Sequence, residues 1–139
     1  MRKKRQMPRI PEISASRIKE KIDSGEYSTK LSRQQYLKHV DGTPQYEQYK
    51  QSRAAKGKPP QSVLTITRRE AQELIIQKAG TGIVRADKNG NMMPRENITA
   101  SKIIGKTWSG GILIDTNKAR IFYGKQDSHI IPIGGMDYD

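Results

Sequence analysis

Residues 116–132 read TNKARIFYGKQDSHIIP, and this stretch predicts the closing β-hairpin of the fold. Through positions 118–123, Lys118, Arg120 and Phe122 alternate with Ala119, Ile121 and Tyr123, which is the two-residue repeat of a β-strand. A turn is expected at 124–127, and an apolar strand resumes at 129–131. The hairpin is rich in groups that can bind or cleave a phosphodiester: Thr116, Lys118, Arg120, Tyr123, Lys125, Ser128 and His129. We therefore expect a reaction centre on this hairpin.

The chain before the hairpin predicts helices first and strands afterwards. Helices are expected after Ser14 or Ser16, after Ser32, over 44–55 and after the capping box that begins at Thr67. Beyond Gly80 the pattern alternates, and strands are expected at 82–86, 92–100, 102–108 and 112–115. The sequence thus predicts an α+β fold, with N-terminal helices packed on an antiparallel sheet of four or five strands.

Composition predicts one domain with short appendages. Residues 13–133 are expected to form the domain, residues 1–12 a flexible basic arm and residues 134–139 a frayed tail. The net charge of +12 indicates a polyanionic partner such as nucleic acid. No apolar run is long enough to cross a bilayer and the basic start is followed by polar residues, so neither a membrane association nor a signal peptide is expected.

The residue inventory disfavours metal and cofactor chemistry. The chain has no cysteine and two histidines, and Asp87, Glu96, Asp115 and Asp127 form no tight acidic motif. Nucleotide-binding loops and hydrolase motifs are also missing from the sequence. We therefore expect neither a metal site nor a cofactor.

Cleavage of RNA without a metal requires a base, an acid and cations, and the chain offers all three. His39 and His129 suit proton transfer because an ordinary imidazole pKa lies near neutral pH. Lys118, Arg120 and Lys125 can stabilise the phosphorane. Each histidine also has a structural interpretation, as a surface residue ending a helix for His39 and as a partly buried residue of an edge strand for His129.

Other polar and aromatic residues leave similar alternatives. Tyr46, Tyr49 and Tyr123 can stack on bases, but half-buried tyrosines more often serve packing. Trp108 is expected in the core rather than as a stacking platform for a base. The hydroxyls of Thr116 and Ser128 can bind phosphate or form turn hydrogen bonds.

Several short motifs resemble a known family in their order and spacing. They are KHVDGT at 38–43, QY at 45–46, PQSVLTI at 60–66, AGTG at 79–82, YGK at 123–125 and SHIIP at 128–132. Together they are similar to the polymorphic toxin type 50 domain, which also occurs at the C-terminus of phage minor head proteins. The resemblance extends over about residues 32–133.

The resemblance implies a metal-independent ribonuclease whose fold belongs with the barnase, EndoU, colicin and RelE group. It implies catalytic roles for His39, Lys118, Tyr123 and His129, and we assign phosphate or nucleic-acid binding to Lys38, Thr116, Arg120, Lys125 and Ser128. Many members carry a histidine just before the tyrosine of the last hairpin, where this chain has Phe122. That difference implies either impaired activity or a role that His129 fills alone.

Two functions follow as hypotheses. The first is a toxin-like ribonuclease of phage or prophage origin that cleaves RNA by attack of the 2'-hydroxyl, with an acidic immunity protein as an expected partner. The second is a non-catalytic nucleic-acid-binding module of a phage head, which uses the basic arm and the basic surface to contact packaged DNA and also contacts other head proteins. Either would act in the phage virion or in the bacterial cytoplasm.

Overall fold

The computed structural model of the protein describes residues 12–134. The predicted arm (1–12) and tail (134–139) therefore lie outside the described residues, apart from one residue of each. The helices are α1 (Ser16–Asp23), α2 (Arg33–Leu37), α3 (Pro44–Ala55) and α4 (Arg68–Lys78). The strands are β1 (Glu12–Ile13), β2 (Val63–Leu64), β3 (Val84–Arg85), β4 (Arg95–Thr99), β5 (Gly105–Ser109), β6 (Ile112–Thr116), β7 (Lys118–Phe122) and β8 (His129–Ile133).

The α+β class is confirmed, but the strands do not form one sheet of four or five. The described strands form three antiparallel sheets, in the orders β1-β3, β2-β5-β6 and β4-β7-β8. The chain passes from the second sheet to the third at Thr116, whose backbone pairs with Gly105 while its hydroxyl donates to the carbonyl of Ile133 at 2.7 Å. The next residues pair with β4 and β8 instead, so the sheet is divided at this point.

Capping residues account for most helix starts. Thr67 and Glu70 form the predicted capping box of α4, and the side chains of Ser32 and Thr43 accept from backbone N–H groups at the starts of α2 and α3. The exception is α1, whose N-cap is Ala15 and not a serine. Its packing must therefore hold it in place, and Ile18 is fully buried.

The alternation in β7 gives the β4-β7-β8 sheet two different faces. Ala119 and Ile121 are fully buried on the inner face, against the core formed with α1 and α4. The outer face carries the even-numbered residues of β7: Arg120 lies opposite Ile131, and Phe122 lies opposite His129. Cations and the second histidine therefore share one face of the sheet.

A carboxylate is buried on the inner face. Glu96 of β4 is 1% exposed and accepts three hydrogen bonds, from the backbone N–H of Gly80 at 2.9 Å, that of Gly82 at 2.7 Å and the hydroxyl of Tyr123 at 2.7 Å. Both glycines follow the end of α4. The carboxylate thus fixes the end of α4 to the β4-β7-β8 sheet.

We predict that Glu96→Gln lowers the free energy of unfolding by about 1–3 kcal/mol, because the amide NH₂ would face a backbone donor that it cannot satisfy. Glu73→Gln is the matched control, since Glu73 is exposed on α4, and it should change stability by less than about 0.5 kcal/mol. Urea unfolding measures both. Equal stabilities of the two variants would show that the buried carboxylate does not hold the fold.

Candidate functional site

The segment that follows α2 is held against β2 by a set of hydrogen bonds. The backbone N–H of Leu64 donates to the carbonyl of His39 at 2.7 Å. The side-chain amide of Gln61 donates to the carbonyls of Lys38, at 2.8 Å, and Tyr46, at 2.9 Å. These bonds fix the backbone of residues 38–39 between α2, α3 and β2.

The ring of His39 is fixed as firmly as its backbone. The residue is 6% exposed, and Nδ1 lies 2.8 Å from the carbonyl oxygen of Ser62. A carbonyl oxygen can only accept, so Nδ1 carries the proton and Nε2 is left with its lone pair. The alternative of a surface histidine is wrong for His39.

Burial lowers the pKa of His39 to about 4. The hydrogen bond to Ser62 opposes this change, whereas the positive charges of His129, Arg53 and Lys38 add to it. At neutral pH the imidazole is therefore uncharged. A buried, neutral imidazole with a free Nε2 is chemically a base.

The second histidine lies close enough for its charge to act on the first. His129 begins β8 on the outer face, is half-buried, and stacks on Phe122 with ring centroids 4.8 Å apart and an angle of 15° between the planes. Burial lowers the pKa of His129, the charge of Lys38 lowers it further, and Asp127 opposes both. The charge of His129 contributes to the lowered pKa of His39, so the two histidines, distant in sequence, lie near each other in the fold.

Helix α3 contributes an aromatic ring and a cation. Tyr49 meets the ring of His39 edge to face, with centroids 5.9 Å apart. Lys38 Nζ lies 5.3 Å and the guanidinium carbon of Arg53 5.7 Å from the centre of the Tyr49 ring. We call Lys38, His39, Tyr49, Arg53 and His129 the histidine site.

Sequence reasoning did not select Tyr49 and Arg53 as a unit of this site. Their spacing of four residues places both on one helical face, which was visible in the sequence. The spacing does not predict that this face packs on the residues after α2, because the contact depends on the tertiary fold.

A cleft of about 600 Å³ adjoins the histidine site. Two of its lining residues connect it to the site. Arg53 belongs to the histidine site, and the carbonyl of Ser62 accepts the hydrogen bond from His39 Nδ1. Trp108 also lines it and is 37% exposed, which contradicts its predicted place in the core. The indole N–H donates to the carbonyl of Gln61 at 3.1 Å.

The predicted cations of the last hairpin lie at different distances from the histidines. Arg120 is on the same face as His129, buried, and donates through Nε to Asn97 Oδ1 at 2.8 Å. Lys118 is on this face too, four residues from Phe122 or about 13 Å along the strand, and its Nζ lies 3.3 Å from Thr99 Oγ1. Lys125 lies in the exposed turn between β7 and β8.

The hydroxyls of three predicted site residues donate hydrogen bonds to acceptors within the fold. Tyr123 lies on the inner face, stacked on Tyr27, and burial followed by the negative charge of Glu96 raises its pKa. Thr116 donates to the carbonyl of Ile133, and Ser128, which is 1% exposed, donates to the carbonyl of Ser28. None of these three hydroxyls is free to act at the histidine site, because each completes a buried hydrogen bond, although Thr116 also lines the adjoining cleft.

Metal-binding clusters and membrane-spanning helices are both absent from the part of the chain that the structure describes. Within residues 12–134, no group of three or more His, Cys, Asp or Glu side chains is arranged to hold a metal ion. No helix in the same range is long and apolar enough to cross a membrane.

The fold is α+β, and two histidines lie near the cations Lys38 and Arg53. Comparison with known proteins identifies the family of the domain. Residues 31–132 match the family model described as bacterial toxin 50, which covers well over half of the chain. The chain therefore belongs to the bacterial toxin 50 family. No curated protein and no solved structure gave a significant match.

We predict that His39 makes folding sensitive to acid. An unfolded histidine takes up a proton near pH 6.5 but folded His39 only near pH 4, so stability falls as pH drops from 6.5 and the loss approaches about 3 kcal/mol near pH 4. His39→Gln should remove this part of the pH dependence. Urea unfolding of both proteins between pH 7.5 and 4.5 measures it, and parallel curves would contradict the assigned burial.

Proposed function

We propose that the protein is a toxin-like, metal-independent ribonuclease that cleaves RNA by attack of the 2'-hydroxyl on the adjacent phosphate. The observation that carries the proposal is the pair of imidazoles in one cationic site, one of them locked with Nε2 free. Membership of a toxin family supports it, since RNA is a target whose cleavage is lethal to a cell. An origin in a phage or prophage belongs to the same proposal.

In this mechanism His39 is the base. Its Nε2 takes the proton of the 2'-hydroxyl while the oxygen forms a bond to phosphorus. Its pKa of about 4 keeps His39 unprotonated before the substrate arrives, and the negative charge of a bound phosphate would raise that pKa toward the value that a base needs. The Ser62 carbonyl, which accepts from Nδ1–H, stabilises the imidazolium that results.

His129 is the acid. As the bond between phosphorus and the 5'-oxygen breaks, protonated His129 gives its proton to that oxygen, which leaves a 2',3'-cyclic phosphate and a 5'-hydroxyl. The charge of Lys38 lowers the pKa of His129 in the free protein, and a bound phosphate offsets that charge. Substrate binding thus favours the protonated form that the step requires.

Cations around the histidines stabilise the phosphorane. Lys38 and Arg53 act on His39 together with His129, so these two cations are the first candidates for contact with the phosphate. Arg120 lies farther along the same face, and Lys118 and Lys125 are placed for neighbouring phosphates of a longer RNA. Tyr123 has no part in the reaction.

An inhibitor of this site needs the opposite charge. We propose an acidic immunity protein as a partner, with carboxylates that cover Lys38 and Arg53 and so exclude RNA.

We predict that the protein cleaves total RNA in the presence of EDTA. His39→Ala and His129→Ala should each lower the rate by about 10²–10⁴-fold, because each removes one proton transfer. Gel electrophoresis measures the cleavage, and circular dichroism confirms that the variants are folded. Intact RNA with the wild-type protein would refute the proposal.

Tyr123→Phe is the control for this experiment, since it alters a tyrosine of the same hairpin on the inner face. It should retain cleavage as long as it is folded. Loss of activity in folded Tyr123→Phe would show that the reaction depends on the inner face of the β4-β7-β8 sheet and would contradict a reaction at the histidine site. Cleavage that requires Mg²⁺ would show a metal-dependent nuclease instead.

A second candidate function rests on a separate basic surface. Lys30, Arg33, Arg68 and Arg69 line a cavity of about 640 Å³ at the start of α2, and the ion pairs found within residues 12–134 involve none of these four. Such a surface suits a module of a phage head that holds nucleic acid without cutting it. It would bind duplex DNA with an affinity that falls steeply with salt, and the RNA incubation in EDTA would then show no scission.

A further inference from the structure

We infer that the cleft beside the histidine site is a nucleobase subsite in which Trp108 is the stacking platform. The inference rests on the proposed ribonuclease activity and adds to it the way in which the substrate is held. A ribonucleotide whose base lies on Trp108 would place its phosphate at Arg53, the residue that the cleft shares with the histidine site.

The two rings are anchored by adjacent peptide groups. The carbonyl of Gln61 accepts from the indole N–H of Trp108 at 3.1 Å, and the carbonyl of Ser62 accepts from the imidazole Nδ1 of His39 at 2.8 Å. Thr65 donates to Ile104 beside β5 whereas Leu64 donates to His39, so Trp108 and His39 lie on opposite edges of the segment 61–64. With neighbouring Cα atoms about 3.8 Å apart, the anchored ring nitrogens are about 10 Å from each other across this segment. A single nucleotide can span that distance.

The walls of the cleft suit a base. Pro59, Pro60, Ile114, Pro132 and Ile133 give it apolar sides, and its volume of about 600 Å³ is in the range of small-ligand sites. Polar groups also line it, namely the hydroxyls of Thr107 and Ser109 and the carboxylate of Asp115. They offer donors and acceptors to the edge of a stacked base.

The exposure of Trp108 fits this role better than a packing role. More than a third of the residue is accessible, although the hydrogen bond to Gln61 keeps the indole from turning away. A fixed, accessible aromatic ring stacks on a base at little entropic cost, and such stacks strengthen binding in a way that tolerates different bases. Arg53 lines the same cleft and reaches the histidine site, so a phosphate next to the base would meet a cation.

The chain has one tryptophan, so its fluorescence reports on this cleft alone. The test is a titration of the intact wild-type protein with a 2'-deoxydinucleotide, which lacks the attacking hydroxyl and is not cleaved. Inorganic phosphate is the control. The expected result is saturable quenching by the dinucleotide and none by phosphate. Absent quenching, or equal quenching by phosphate, overturns the subsite.

Kinetics with a cleavable ribodinucleotide gives a second readout. Trp108→Ala should raise KM by about 10- to 100-fold and change kcat much less, whereas Trp108→Phe should restore most of the binding because it keeps an aromatic face. Ile112→Ala, in the same hairpin and 64% exposed outside the cleft, should leave KM unchanged. An unchanged KM in folded Trp108→Ala overturns the inference.

The two proposals fail differently. Cleavage of RNA in EDTA without quenching of Trp108 would leave the ribonuclease intact and remove the subsite. Quenching by the dinucleotide without cleavage of any RNA would refute the ribonuclease and support the cleft as a nucleotide-binding site.

Discussion

The hydrogen bond from His39 Nδ1 to the carbonyl of Ser62 is the contact on which the site depends. It sets the tautomer, holds the ring in a buried position and joins the end of α2 to the strand that follows α3. Without it the imidazole could turn, and Nε2 would have no fixed direction. The bonds of Gln61 to Lys38 and Tyr46 support the same junction from α3.

The electrostatics of the site favour function over stability. A buried imidazole near Lys38, Arg53 and His129 is an unfavourable place for a proton, which is why the pKa of His39 falls to about 4. The positive charges repel one another until an anion arrives. A bound phosphate would relieve that repulsion, so the site suits an anionic ligand, and the net charge of +12 on the whole chain attracts polyanions over a longer range.

Local sequence signals predicted the elements well. The proline after Thr43 and the capping box at Thr67 fixed the starts of α3 and α4, and the alternation at 118–123 gave β7 its two faces. The same alternation assigns Tyr123 to the face of Ala119 and Ile121, so its absence from the histidine site was open to prediction from the hairpin alone.

Long-range pairing was harder to predict. Nothing in the local pattern separates β6 from β7 into different sheets, because the division depends on which distant strands accept their hydrogen bonds. The positions of Arg53 at the site and of Trp108 outside the core were not predicted for the same reason. One lies on a helix and the other in a hairpin, and both meet the loop at 59–62 only in the folded chain.

The most direct test is a nitrogen NMR titration of the imidazoles, of which the chain has two. The account predicts that His39 is protonated on Nδ1 at neutral pH, that its pKa is near 4, and that bound 2'-deoxydinucleotide raises the pKa of His129. A His39 ring protonated on Nε2, or one that titrates near pH 6.5 and does not respond to His129, would contradict the shared site.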